Sequence, residues 1–87
     1  ERLGVFNRVV PDADLRDAAQ EMAAKIAKGA PIALKYMKEN HNLAVVSDLK
    51  TTMLQEGDRM VRALHTDDFA NAAMAFMMKK KPKFEGK

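Results

Sequence analysis

A chain of 87 residues with 47% hydrophobic and 31% charged residues is long enough for one small folded domain, and too apolar for a disordered chain. It contains no cysteine, which excludes disulfide bonds and thiol catalysis. The net charge of +3 is uneven, because five lysines against Glu85 give residues 79–87 a charge of +4 and leave −1 for residues 1–78. The basic character therefore belongs to the C-terminal tip and not to the whole surface.

The N-terminal segment predicts one short β-strand over residues 1–10. Residues 3–10 are mostly apolar or β-branched, and Pro11 follows them. A single strand needs a partner, which lies either in a second copy of the chain or in residues outside this sequence.

Helical periodicity begins after Pro11. The first helix is expected over roughly residues 13–28, with Gly29 as its stop. The second starts at Pro31, which suits the first turn of a helix, and weakens at residues 40–42.

The third helix is expected to start at a cap formed by Ser47 or Asp48. Gly57 interrupts its apolar pattern at a cost of about 1 kcal/mol relative to Ala. A close approach by another backbone would explain that glycine.

The fourth helix has the clearest signals. Thr66 is a good N-cap, and Asp67 and Asp68 place negative charge at the positive end of the helix dipole. A run of lysines followed by Pro82 ends the helix near residue 81. Its apolar stripe, which we expect to face a core, consists of Phe69, Ala72, Ala73, Phe76 and Met77. The predicted fold class is thus all-α, with about four helices after one short strand.

The same segment carries a family pattern. Two acids and a run of small residues precede Ala75 and Phe76, and lysines at 79 and 80 are followed by Pro82 and Phe84. This order resembles the end of the crotonase superfamily, the enoyl-CoA hydratases and isomerases, and the resemblance continues upstream to residue 4. It implies a single C-terminal segment of such an enzyme: residues 1–10 as a strand from the core, 12–81 as helices and 82–87 as a tail.

The resemblance also implies a function. The parent would be an enzyme of acyl-CoA (fatty acid) metabolism that uses a CoA thioester as substrate and needs no cofactor. The family's oxyanion-hole amides and catalytic glutamates lie in the preceding core, so this chain has no catalytic residue and is expected to be catalytically incomplete alone. Its implied roles are CoA contacts and assembly of a homo-oligomer, of trimer type in the parent.

The family's CoA-binding residues in the terminal motif fall on Phe76 and Lys79 of this sequence. An aromatic face stacks on adenine, and an ammonium is a compact partner for the phosphate on the ribose. The reading from the residues alone stays open beside this one: Phe76 as a core residue and the lysines as a solvated tail.

A second function class is a small self-associating helical interaction module, a dimer or swapped assembly. Apolar helix faces and an unpaired strand favour it. A nucleic-acid partner is not expected, because no basic stripe or exposed aromatic series accompanies the lysines. No apolar run is long enough to cross a bilayer and the first residues lack a secretory signal, so we expect no membrane partner and a cytoplasmic location.

No metal site is expected either. His41 and His65 are far apart in sequence and lack partners at ligand spacing, so both are interpreted as surface residues at helix ends. Ser47, His65 and Asp67 lack the nucleophile elbow of a hydrolase. Capping and solvation explain the carboxylates, Asp68 included.

Overall fold

The computed structural model describes residues 1–87 and consists of helices joined by short links. A 3₁₀ turn, Asp12–Asp14, leads into α1 (Leu15–Ile26). The other helices are α2 (Pro31–Val46), α3 (Leu49–Leu64) and α4 (Asp67–Met77). The predicted all-α class with four helices is confirmed. α2 and α3 form an antiparallel hairpin across a two-residue link, and α4 packs on α3.

The helices form a flat and open layer. It measures 43 × 40 × 19 Å, and its radius of gyration of 16.5 Å compares with about 12 Å for a compact domain of this length. The accessible surface is 7807 Å², against roughly 5,100 Å² for a compact monomer of this size. Only Asp68 and Ala75 are buried. The chain therefore has almost no core of its own, and most of its large apolar side chains are exposed.

The prediction of a β-strand over residues 1–10 is wrong. Gly4 has a φ of +74°, and its N–H donates to the Glu1 carbonyl at 2.8 Å, so the segment turns there. The rest of the segment lies along α1, with Val10 half-buried and Arg8 Nη1 at 3.3 Å from a Glu21 carboxylate oxygen. A strand needs a neighbouring strand for its backbone hydrogen bonds, and this chain supplies none.

The expected weakening of α2 at residues 40–42 is also wrong, since the helix continues to Val46. Arg59 of α3 explains why the polar residues fit there. Its Nη1 donates to the Asn40 side-chain oxygen at 2.6 Å, and its Nε lies 3.2 Å from a Glu39 carboxylate oxygen. The side chains of Arg59 and Glu39 are only 20% and 38% exposed. Because their contacts join α2 to α3, these polar residues stabilise the helix pair and do not end α2.

Both predicted capping positions are confirmed. Asp48 accepts from the Thr51 N–H at 3.0 Å and from the Thr51 hydroxyl at 2.6 Å. The hydroxyl bond, followed by the backbone bond, lowers the pKa of Asp48 below its ordinary value, because both stabilise the carboxylate. At the start of α4 the Thr66 hydroxyl accepts from the Phe69 N–H at 3.2 Å. Residues near each other in sequence fix these helix starts.

Gly57 lies inside α3 with open space around it. Apart from the backbone of its own helix, no atom lies within 4 Å of the position that a Cβ would occupy, so the expected close approach of another backbone is absent from this chain. We expect Gly57→Ala to raise the free energy of unfolding by about 1 kcal/mol, because glycine in a helix interior is less favourable than alanine by that amount. Urea unfolding followed by circular dichroism measures the change.

Gly29→Ala is the matched control for that experiment. A Cβ at Gly29 would lie 3.1 Å from Leu34 Cδ1 and 3.3 Å from the Ile26 carbonyl oxygen, so no gain is expected there. A loss of stability in Gly57→Ala would contradict the prediction and show that another copy packs against this point of α3.

Candidate functional site

Both candidate residues of the sequence lie at the C-terminal end of α4. Phe76 stands in the last turn with 85% of its surface exposed, and Lys79 follows two residues after the helix ends. The expectation that Phe76 faces a core is wrong, since this chain has nothing that covers its ring. The inward face of α4 is instead formed by Asp68, Ala72 and Ala75, four and three residues apart. Small side chains occupy that face because the neighbouring elements approach closely.

Lys79 ends the helix in the left-handed conformation. Its φ of +55° is the only positive value at a non-glycine residue. Its N–H donates to the Phe76 carbonyl at 3.0 Å, and the Lys80 N–H donates to the Ala75 carbonyl at 2.8 Å. These two bonds form a Schellman motif, in which glycine usually takes the place of Lys79. The helix thus ends at Met77 and not near residue 81.

The left-handed backbone of Lys79 is strained, and the two hydrogen bonds at the end of α4 hold it in that conformation. A left-handed conformation is unfavourable for an L residue by roughly 1–2 kcal/mol. Such residues are enriched at binding sites, where the backbone fixes the starting point of a side chain. The Schellman bonds fix the backbone of Lys79 against the last turn of α4, which carries Phe76.

The charge around this helix end comes from lysine side chains. The C-terminal end of a helix carries partial negative charge, which by itself repels anions. The exposed side chains of Lys79, Lys80, Lys81 and Lys83 follow it directly. An ammonium acts on a phosphate as a point charge, so a cluster of four reverses the local sign. The tip is able to attract an anionic group beside an exposed aromatic ring.

The tail returns from this tip to the start of α4, where Asp68 holds it. Asp68 is 2% exposed. Its two carboxylate oxygens accept from the Glu85 N–H at 2.7 Å and from the Gly86 N–H at 2.9 Å. Its own N–H donates to the Lys87 carbonyl oxygen at 3.2 Å, which satisfies a donor that the first turn of a helix leaves free. We call this arrangement of Asp68, Glu85 and Gly86 the Asp68 clasp.

Sequence reasoning missed the Asp68 clasp and interpreted Asp68, like Asp67, as a residue that favours the helix dipole. One signal was present: Asp68 shares the spacing of the small residues Ala72 and Ala75, which marks the inward face of α4. Asp67 lies off that face and is exposed. Asp67 and Asp68 are the same residue type in the same helical turn, so only the face of α4 on which each one lies distinguishes them.

Between the tip and the clasp the tail lies between α4 and the turn that joins α1 to α2. Half-buried Phe84 lines an apolar cavity of about 200 Å³. The cavity is shared with Ala30, Ile32, Ala33, Ala63, Phe69 and Ala72. On its other side the tail borders an open depression of about 440 Å³, where Lys28 of the α1–α2 turn joins Lys81 and Lys83. The tail therefore connects three elements of the layer.

The histidines lie away from this site. Nδ1 of His41 is 2.7 Å from the Met37 carbonyl oxygen, and Nδ1 of His65 is 2.8 Å from that of Val61. Because a carbonyl only accepts, each Nδ1 donates to its own helix. His65 caps α3 as expected, whereas His41 lies inside α2 and not at a helix end. No group of three or more histidine or carboxylate side chains comes together in a way that could bind a metal ion.

Known proteins resemble this chain over its whole length. A family model described as enoyl-CoA hydratase/isomerase matches residues 1–87. The chain belongs to the enoyl-CoA hydratase/isomerase family. The short-chain-enoyl-CoA hydratase of Clostridium acetobutylicum is 34% identical over 80 residues, which cover 92% of this chain and 31% of that protein. The carnitinyl-CoA dehydratase of Proteus mirabilis is 33% identical over 95 residues, which cover 99% of this chain and 34% of that protein.

Solved structures of the enoyl-CoA hydratase/isomerase family contain the same helical arrangement. An enoyl-CoA hydratase from Polaromonas sp. JS666 superposes with a TM-score of 0.91 at 32% identity, over 97% of this chain and 33% of that one. An enoyl-CoA hydratase from Bacillus anthracis gives 0.89 at 32% identity, over 99% of this chain and 33% of that one. The chain thus spans about a third of the length of these relatives and matches the C-terminal helical part of the fold.

None of the four helices combines the length and the apolar character that a bilayer span requires.

Proposed function

We propose that this chain is the C-terminal part of an enzyme of acyl-CoA (fatty acid) metabolism, where it contributes CoA contacts and subunit assembly. The chain is catalytically incomplete alone, and the CoA thioester is the parent enzyme's substrate with no further cofactor. The observation that carries the proposal is the exposed ring of Phe76 beside four exposed lysines at one helix end. The names of the two relatives given above, a short-chain-enoyl-CoA hydratase and a carnitinyl-CoA dehydratase, identify them as enzymes that act on CoA thioesters.

In the proposed complex Phe76 stacks on the adenine of CoA, and Lys79 binds the phosphate on its ribose. Stacking of a base on an aromatic side chain contributes about 1–3 kcal/mol, and an open ring loses no packing when a ligand covers it. Lys79 follows two residues after the end of α4, and the hydrogen bond from its N–H to the Phe76 carbonyl fixes its backbone against the last turn that carries Phe76. A purine and its ribose phosphate have the same two features, an aromatic face and a nearby dianion.

The assembly part of the proposal is supported by the exposed apolar surface. Phe6, Val46 and Leu49 are 65%, 82% and 75% exposed, although each is a residue that folded proteins bury. We propose that the remainder of the parent enzyme and its other subunits cover these faces in a homo-oligomer of trimer type. No nucleic acid and no membrane takes part, and the proposal includes a cytoplasmic location, which cell fractionation tests.

Calorimetric titration of the protein with CoA, and with CoA that lacks the 3′-phosphate of its ribose, tests the CoA contacts. CoA is expected to bind about five-fold more tightly than the form without the phosphate, the scale of one exposed ion pair. Phe76→Ala is expected to weaken both ligands by about ten-fold, because both keep the adenine.

Met77→Ala is the matched control, since Met77 is next to Phe76 and 82% exposed. It removes apolar surface without removing a ring that stacks. Equal affinity for the two ligands would refute the role of the lysine, and equal losses in the two alanine variants would refute stacking on Phe76.

The second candidate function is a self-associating helical module. The surface excess over a compact monomer favours it, because the isolated chain exposes the same apolar faces whether or not CoA binds. It is compatible with the first proposal.

A further inference from the structure

The Asp68 clasp makes hydrogen bonds that the start of α4 does not require, since the Asp68 carboxylate binds the tail and not the N–H groups of its own helix. An aspartate in the first turn of a helix normally stays in water, where it favours the dipole. Asp68 is 2% exposed and instead uses both carboxylate oxygens to accept from backbone N–H groups of the tail. A carboxylate is seldom buried unless such bonds replace its water, so the burial serves the contact with the tail.

The clasp fixes one end of a short segment whose other end is fixed as well. The Lys80 N–H is held by the Ala75 carbonyl, and the Glu85 N–H is held by Asp68. We call residues 80–84, which join these two points, the lysine strap. Ala75 and Asp68, which hold these two points, are seven residues apart on α4, or roughly 10 Å at a rise of about 1.5 Å per residue. The lysine strap is thus fixed at both ends against one helix and runs beside it.

We propose that Asp68 is a positioning residue for phosphate recognition: by holding the turn at Glu85 and Gly86 it keeps the lysine strap beside α4. The strap carries Lys81 and Lys83, which border one depression with Lys28 of the α1–α2 turn. Its lysines continue the charge of Lys79. Release of the carboxylate bonds loosens the end of the strap beside Glu85, where only the packing of Phe84 and the bond from the Asp68 N–H to Lys87 remain. The charge of the strap is then less concentrated beside the end of α4. The inference rests on the proposed contact between Lys79 and the ribose phosphate of CoA.

Asp68→Asn in the protein that carries this chain tests the proposal. An amide has one acceptor oxygen, so it retains at most one of the two bonds to the tail, and its NH₂ faces the other N–H. Hydrogen exchange is expected to speed up at the Glu85 and Gly86 amides. Affinity for CoA is expected to fall roughly three- to five-fold, the scale of one exposed ion pair, while CoA without its 3′-phosphate binds as before.

Asp67→Asn is the matched control. It removes the same charge from the same first turn, but Asp67 is exposed and makes no bond to the tail, so both affinities and both amides are expected to stay unchanged. Asp68→Glu restores two acceptor oxygens on a longer side chain, and partial recovery of the preference for CoA supports the proposal.

Gly86→Ala provides a second route if Asp68→Asn does not fold. The φ of Gly86 is +77°, a conformation that is strained for alanine, while an added Cβ would lie at an ordinary contact distance of 3.8 Å from Pro31. Alanine therefore strains the turn of the clasp through its backbone, without touching Asp68. The same loss of preference for CoA is expected.

The outcomes separate this inference from the proposed function. Faster exchange at Glu85 and Gly86 with an unchanged preference for CoA overturns the positioning role and leaves the CoA contacts standing. Unchanged exchange in both clasp variants overturns it as well. A parent protein that binds the two ligands equally before any substitution overturns the CoA proposal itself, together with the role of Asp68 in it.

Discussion

The isolated 87-residue chain is expected to sediment as a dimer or larger species at tens of micromolar. Its accessible surface exceeds that of a compact monomer of its size by roughly 2,700 Å². Each partner in a stable complex of ordinary size contributes only about 800 Å². Many large apolar side chains are among the exposed residues. Burial of apolar surface gains about 25 cal/mol per Å², so we expect association to cover these side chains unless the rest of the parent enzyme does. Sedimentation velocity over a range of concentrations measures the effect.

The tip of the α2–α3 hairpin is where we expect substitutions to act most strongly. Val45, Val46 and Leu49 are 84%, 82% and 75% exposed and are separated only by Ser47 and Asp48. Replacing the three apolar residues by lysine is expected to weaken association by at least about 100-fold. Burial of even two such side chains contributes about 3 kcal/mol, and buried charges oppose the contact.

The control adds the same three charges elsewhere on exposed helical positions, as Gln20→Lys, Gln55→Lys and Asn71→Lys. That variant is expected to associate like the unmodified chain. A monomeric chain at the highest concentration reached, or equal weakening in the two lysine variants, would contradict association through the hairpin tip.

Local signals predicted the helices well because their causes are local. Thr66 and Asp48 accept from backbone N–H groups three residues away, and Pro31 begins α2 as its fixed φ favours. The strand at residues 1–10 failed for the opposite reason. Its backbone bonds depend on a partner that this chain does not contain, and Gly4 allows the segment to turn instead.

The sequence predicted which residues lie at the candidate site, but it did not predict which face of α4 is covered. α4 is apolar on both sides, so its periodicity did not determine which face is covered. The structure turns Asp68, Ala72 and Ala75 inward and leaves Phe76 exposed in this chain, while its contact with CoA stays a prediction. The family resemblance singled out Phe76 for this role, whereas the stripe alone assigned it to a core. The Arg59 contact with Asn40 was missed because it joins residues nineteen positions apart.

The left-handed conformation of Lys79 predicts opposite effects of one substitution on stability and on binding. Lys79→Gly is expected to raise the free energy of unfolding by up to about 1 kcal/mol. The strain of roughly 1–2 kcal/mol at an L residue disappears, and the greater freedom of glycine in the unfolded chain offsets part of the gain. The same substitution removes the ammonium, so affinity for CoA is expected to fall about five-fold, with no change for CoA without its 3′-phosphate. Urea unfolding and calorimetry on the same samples measure both effects.

Lys80→Gly separates strain from charge. It removes an identical charge one residue later, but Lys80 has no positive φ, so glycine relieves nothing there and stability is expected to stay level or fall. If both glycine variants lose the same affinity for CoA, the lysines act only through their summed charge and Lys79 has no special role. If Lys79→Gly unfolds more easily, contacts of the lysine side chain outweigh the backbone strain. A variant that folds better and binds CoA more weakly would show that the strained end of α4 is maintained for the ligand, since a helix C-terminus selected for stability alone would carry glycine at this position.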